Sequence, residues 1–142
     1  MSITHETKLT VFYCHNCFKE DNRSLEARLG SEVTLYPIAC SGRLEPLFIL
    51  RAMEQGSDAV CLLACDEGMC RYFEGNRRAS KRVAFARTIL DEIGIGGERA
   101  FVRFLTDSEK AKPVKIITEA LADAEKLGPS PLKGVTVKRR KK

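Results

Sequence analysis

Between Ala59 and Ala64 the chain reads AVCLLA, six residues with no polar side chain on either face of an extended strand. A strand with one face in water alternates apolar and polar residues; a run apolar on both faces suits the centre of a parallel sheet covered by helices on each side. Three other segments read as its companions: LTVFY (Leu9 to Tyr13), VTLYPIA (Val33 to Ala39) and AFVRFL (Ala100 to Leu105). Pro37 removes a ladder donor from the second, which is therefore expected at an edge or bulged there.

Helical patterns separate these strands. Leu44 to Gln55 places Leu44, Leu47, Phe48, Leu50 and Met53 in one broad apolar face, follows Ser41 as a cap region and stops at Gly56. Arg77 to Ile93 turns Val83, Ala86, Ile89, Leu90 and Ile93 inward and stops at Gly94. Lys112 to Leu127 does the same with Val114, Ile117, Leu121 and Ala124, tolerates Pro113 in its first turn and ends at Gly128-Pro129. The first connection, EDNRSLEARLG, holds at most a short helix around Leu25 and Leu29. Strand-helix alternation with short crossovers implies an α/β fold: a single doubly wound, flavodoxin-like, mainly parallel sheet of four strands in the order 2-1-3-4. Ligands of such sheets bind outside the carboxyl ends of the strands, where the winding direction switches.

The domain expected from this pattern spans residues 1–128, with 129–142 as a basic tail. Net charge is +5, but Ser130 to Lys142 holds Lys133, Lys138, Arg139, Arg140, Lys141 and Lys142 and no acid, which leaves the rest one unit negative. Basicity confined to a tail argues against nucleic acid as the main partner and reads as a solvated or docking arm. No signal-peptide pattern or bilayer-length apolar stretch is seen, so the expected location is cytoplasmic, without membrane insertion. Thiols stay reduced there, and the six cysteines are expected to be ligands, redox groups or buried hydrophobes rather than a disulfide framework.

Their positions select among these roles. Cys14 directly follows the first strand, with Cys17 behind it in CHNC; Cys40 follows the second; Cys65 ends the third and Cys70 lies in the loop after it. Five thiols thus fall at the carboxyl ends of three strands that the expected order makes neighbours. Converging thiolates repel unless a cation neutralises them, so the candidates are zinc, a 2Fe-2S or 4Fe-4S cluster, or a dithiol redox pair. Tetrahedral zinc usually staples small modules that lack a core, and a CxxC oxidoreductase uses only Cys14 and Cys17. Cys61, four residues before Cys65, lies about 13 Å down the strand from the rim and is expected to be a core residue. His15 is the only histidine near the site, and no P-loop or dinucleotide fingerprint is present.

The stretch IACSGRLEPLFILRAMEQGSDAVCLLACDEGMCRYFEGNRRASKRV resembles the delta subunit of methyl-viologen-reducing hydrogenase, with CSGR at Cys40 to Arg43, the C-x4-C of Cys65 and Cys70, and EGNRRA at Glu74 to Ala79 as its most specific parts. Two segments depart from the family's habit: Asp66-Glu67-Gly68-Met69 followed by Arg71, and CHNC, stand where the family favours His-Pro-Gly-Asp before His, and C-N-W-C. The resemblance implies a 2Fe-2S cluster held by four of Cys14, Cys17, Cys40, Cys65 and Cys70. It also implies an electron-transfer role between a donor dehydrogenase or hydrogenase and a flavin-containing, heterodisulfide-reductase-like partner. Such a protein is not expected to be an enzyme by itself; a zinc-stabilised or metal-free interaction module and a dithiol oxidoreductase are the alternatives.

Cations accompany the thiols. Arg43, directly behind Cys40, is the best placed to stabilise a reduced, more negative cluster. Arg77, Arg78, Lys81 and Arg82 crowd the first turns of a helix whose amino-terminal end disfavours cations, and read as a partner-binding stripe or as counter-charges to the cluster.

Overall fold

The structure, a computed structural model, describes residues 7–14, 18, 22–29, 32–38, 44–65, 75–110 and 112–131. Four strands, β1 (Leu9–Cys14), β2 (Val33–Ile38), β3 (Ala59–Cys65) and β4 (Ala100–Leu105), form one all-parallel sheet in the order β2-β1-β3-β4. Among the described residues, α1 (Asn22–Arg28), α2 (Pro46–Glu54) and α3 (Gly75–Glu92) lie between the strands, and the single turn α4 (Asp107–Lys110) and α5 (Pro113–Leu127) follow the last one. A short 3-10 turn, Gly97–Arg99, leads into β4.

Side-chain alternation splits the core into two layers. Leu9, Val11, Cys61 and Leu63 point to the face covered by α1 and α5, where they meet Leu25, Ile116, Ile117, Ala120 and Ala124. Phe12, Val60 and Leu62 point to the other face and meet Ile49, Met53, Val83, Ala86 and Leu90 of α2 and α3. Both faces of β3 are therefore dry, which is why its sequence lacks alternation. β2 lies at the edge, and its Pro37, paired with Tyr13, is exposed, so the missing N–H interrupts no second ladder.

Three expectations are corrected. α2 is capped at Glu45, with Pro46 in the first helical position, so Ser41 is not its cap. Its inward face is Ile49, Ala52 and Met53, while Leu47 and Phe48 are exposed; Phe48 stacks on Phe12, itself stacked on Tyr36 of β2. Ile93 is 61% exposed because α3 ends at Glu92 and the chain reverses at Gly94 in the left-handed region (φ 86°), which hands the inward position to buried Ile95.

Candidate metal centre

The parallel ladders decide which chain ends meet. Tyr13 pairs with Leu63, so Cys14, one residue on, stands level with Ala64, and Cys65 follows at once. With neighbouring strands ~4.8 Å apart and a rise of ~3.3 Å per residue, the Cα atoms of Cys14 and Cys65 are about 6 Å apart. On its other side Cys14 pairs with Ile38, the last residue of β2, and Cys40 is two residues further along the chain. The rim formed by β2, β1 and β3 is also where the connections leave in opposite directions, toward α1 on one face and toward α2 and α3 on the other.

Cys14 is 3% exposed. Immediately before it Tyr13 packs on Phe18, the residue after Cys17, with ring centroids 5.4 Å apart. The aromatic pair is itself buried, like Cys14 between the two residues in sequence. Sequence reading passed over Phe18, although an aromatic on either side of a C-x2-C was visible in YCHNCF.

Cys61 pairs with Val11 on β1 and Phe101 on β4 and is fully buried. Burial pushes its thiol up to about 12, with a smaller lowering from Arg103 and a smaller raising from Asp123. A thiol held neutral in the α5-facing core and about 10 Å below the level of Cys14 is a core hydrophobe, as its spacing suggested. Neither Cys14 nor Cys61 is in a disulfide.

Cys17, Cys40, Arg43 and Cys70 lie outside the described residues, as do the side chains of Cys65 and Arg77. Among the described residues no group of three or more ligand-type side chains is assembled. Two of the five candidate cysteines are thus placed by backbone register at the carboxyl ends of adjacent central strands, and the Cys14 side chain is buried there. Of the cationic stripe, Arg78 and Lys81 are exposed, whereas Arg82 turns back to the protein: its Nη1 donates to the Leu44 carbonyl at 3.0 Å and lies 3.9 Å from the Glu45 carboxylate.

Residues 9–128 match the family model described as methyl-viologen-reducing hydrogenase, delta subunit. The chain belongs to that family. Among its relatives is the vhu iron-sulfur subunit of the F420-non-reducing hydrogenase of Methanocaldococcus jannaschii, 42% identical over 71% of this chain and 75% of that one. The vhc iron-sulfur subunit of the corresponding hydrogenase of Methanococcus voltae is 35% identical over 97% of this chain and 98% of its own length. The delta-subunit pattern also occurs inside a much longer protein. A polypeptide of the ferredoxin:CoB-CoM heterodisulfide reductase of Methanosarcina mazei is 33% identical over 63% of this chain, which is 11% of that polypeptide. Among the described residues no helix is long and apolar enough to cross a membrane.

Proposed function

We propose that this chain is a 2Fe-2S electron-transfer subunit that relays electrons between a donor dehydrogenase or hydrogenase and a flavin-containing, heterodisulfide-reductase-like partner. The observation that carries the reading is the register that brings Cys14 and Cys65 to the same rim while leaving Cys61 in the core. Four of Cys14, Cys17, Cys40, Cys65 and Cys70 would hold the cluster, which supplies one-electron transfer when bound. The hydrogenase relatives are iron-sulfur subunits, which supports the cofactor. The relative in which a similar domain forms part of a heterodisulfide reductase polypeptide supports the partner, since two domains on one chain work at short range.

The chain's own residues would then do three things. Tyr13 and Phe18 exclude water beside Cys14, Cys61 stays neutral and out of ligation, and Arg78 and Lys81 present positive charge on the helix that follows Cys70. Arg43 and Arg77 belong with these cations by sequence position.

Anaerobically purified protein, with single serine variants of the five rim cysteines, tests the reading. Two irons and two sulfides per chain are expected, with the visible absorption of an oxidised 2Fe-2S centre. Four of the five variants should lose most of the iron and one should keep it. Zinc without iron or sulfide in the wild type, or full iron in two or more variants, sinks the assignment.

A further inference from the structure

The Leu44 carbonyl needs an external partner. Glu45 is the amino-terminal cap of α2 and its carbonyl accepts the first helical bond, from Phe48 N–H at 2.9 Å. Leu44, one residue earlier, is fully buried and its carbonyl precedes the helical ladder. The donor it finds is Arg82 Nη1, at 3.0 Å, on the third turn of α3. The bond satisfies the buried Leu44 carbonyl, and the Glu45 carboxylate 3.9 Å away offsets the guanidinium's unfavourable place near a helix amino terminus.

It joins two connections. Leu44 follows Cys40 by four residues at the entrance to α2, and Arg82 belongs to the helix entered directly after Cys65 and Cys70. β2 and β3 are not neighbours in the sheet, since β1 lies between them, so no ladder bond holds their exits together. We propose that Arg82 is a positioning residue for the rim, fixing the entrance of α2, four residues after Cys40, relative to α3, the next helix after Cys65 and Cys70. This rests on the reading of the rim as a metal centre. A comparison is built into the same helix: Arg87 Nη1 donates to the Ala100 carbonyl at 2.9 Å, the same kind of tie made at the amino end of β4, away from the thiols.

The test uses the full chain, with Arg82→Ala, Arg82→Gln and the control Arg87→Ala. In anaerobically reconstituted protein, iron removal by a chelator such as bipyridyl should be roughly tenfold faster for Arg82→Ala, the lower end of what loss of a ligand-supporting residue costs in metal affinity. Its electron paramagnetic resonance spectrum in the reduced state should broaden or shift. In metal-free protein, iodoacetamide should modify Cys40 several-fold faster in the variant than in the wild type, read peptide by peptide by mass spectrometry. Arg87→Ala should leave both rates unchanged even where it lowers stability. Arg82→Gln, neutral and too short to span to Leu44, carries the same expectations if the alanine variant does not fold. Wild-type rates in the folded Arg82 variants overturn the proposal, and the alkylation result decides if the two readouts disagree. A wild type that takes up no iron defeats the electron-carrier reading, while Cys40 alkylation still decides the role of Arg82.

Discussion

The two ends of the sheet solve opposite problems. At the amino ends of the strands, Arg99 is 6% exposed and spends all five of its N–H donors on carbonyls: Nε on Ile95, Nη1 on Asp58 and Gly128, Nη2 on Leu127 and Pro129. The Asp58 carboxylate accepts the backbone N–H groups of Lys8 and Ser130, each at 2.8 Å, and the Thr10 and Ser57 hydroxyls bond each other. The guanidinium also neutralises the negative end of α5. At the carboxyl ends, β1 and β3 finish side by side at Cys14 and Cys65, and the tie made there by Arg82 is partly exposed. One end is closed by groups that answer each other; under the proposed function the other would hold the cluster. Under the proposed function, stability and electron transfer would sit at opposite poles of one sheet.

The contrast is broken most severely at Arg99. Its replacement by alanine strands several buried carbonyls and should cost about 3–5 kcal/mol, read by urea unfolding, yet leave iron per folded chain unchanged. If iron is lost in proportion to stability, the two poles are not independent. A smaller effect is expected at Cys61, between the poles. Cys61→Ala should cost about 1 kcal/mol and leave the cluster spectrum unchanged. Its pH dependence carries a sign. The folded thiol ionises only at about 12 against a reference of 9.0, so above pH 9 the unfolded chain has lost a proton that the folded chain keeps. Stability falls there by up to about 1.4 kcal/mol per pH unit for this group. The wild type should therefore lose its advantage over Cys61→Ala as the pH rises from 9 toward 12. Parallel curves would remove the buried neutral thiol. The smallest effect belongs to the tail: deleting Lys138 to Lys142 should change unfolding by no more than about 0.5 kcal/mol and leave iron content intact, while weakening association with an acidic partner only at low salt. An unchanged salt dependence would make the tail a solvated end.

How far the sequence could be read follows the same division. The strands were legible because burial on both faces of β3 leaves no room for polar residues, and because Pro37 belongs on an edge; the order β2-β1-β3-β4 then follows from the connections. The convergence of Cys14 with Cys65 was legible for that reason too. Helix faces were less so. Ile93 has the right spacing to be inward, but the reversal at Gly94 ends the helix before it, and periodicity cannot see where a helix stops facing its sheet. Leu47 and Phe48 look like core and are exposed, because the face α2 turns inward is that of Ile49, Ala52 and Met53. The one-turn α4 was missed although Thr106 and Glu109 form a reciprocal cap, with Thr106 N–H donating to Glu109 Oε1 at 2.9 Å and Glu109 N–H to Thr106 Oγ1 at 3.3 Å. Arg82 carried no signal of its bond to Leu44, since a contact across 38 positions depends on the packing of α2 against α3. Arg99 and Asp58 gave none either, although Pro129 and Ser130, read as the start of the basic tail, are among the residues they hold.

That anchorage sets the direction in which the protein can be handled. Ser130 is fastened beneath the sheet, so whatever is attached beyond Pro131 sets out from the pole farthest from Cys14 and Cys65. A tether grafted at Pro131, to an electrode or a sensor surface, would start from the pole opposite Cys14 and Cys65, which under the proposed function leaves the rim open to a redox partner.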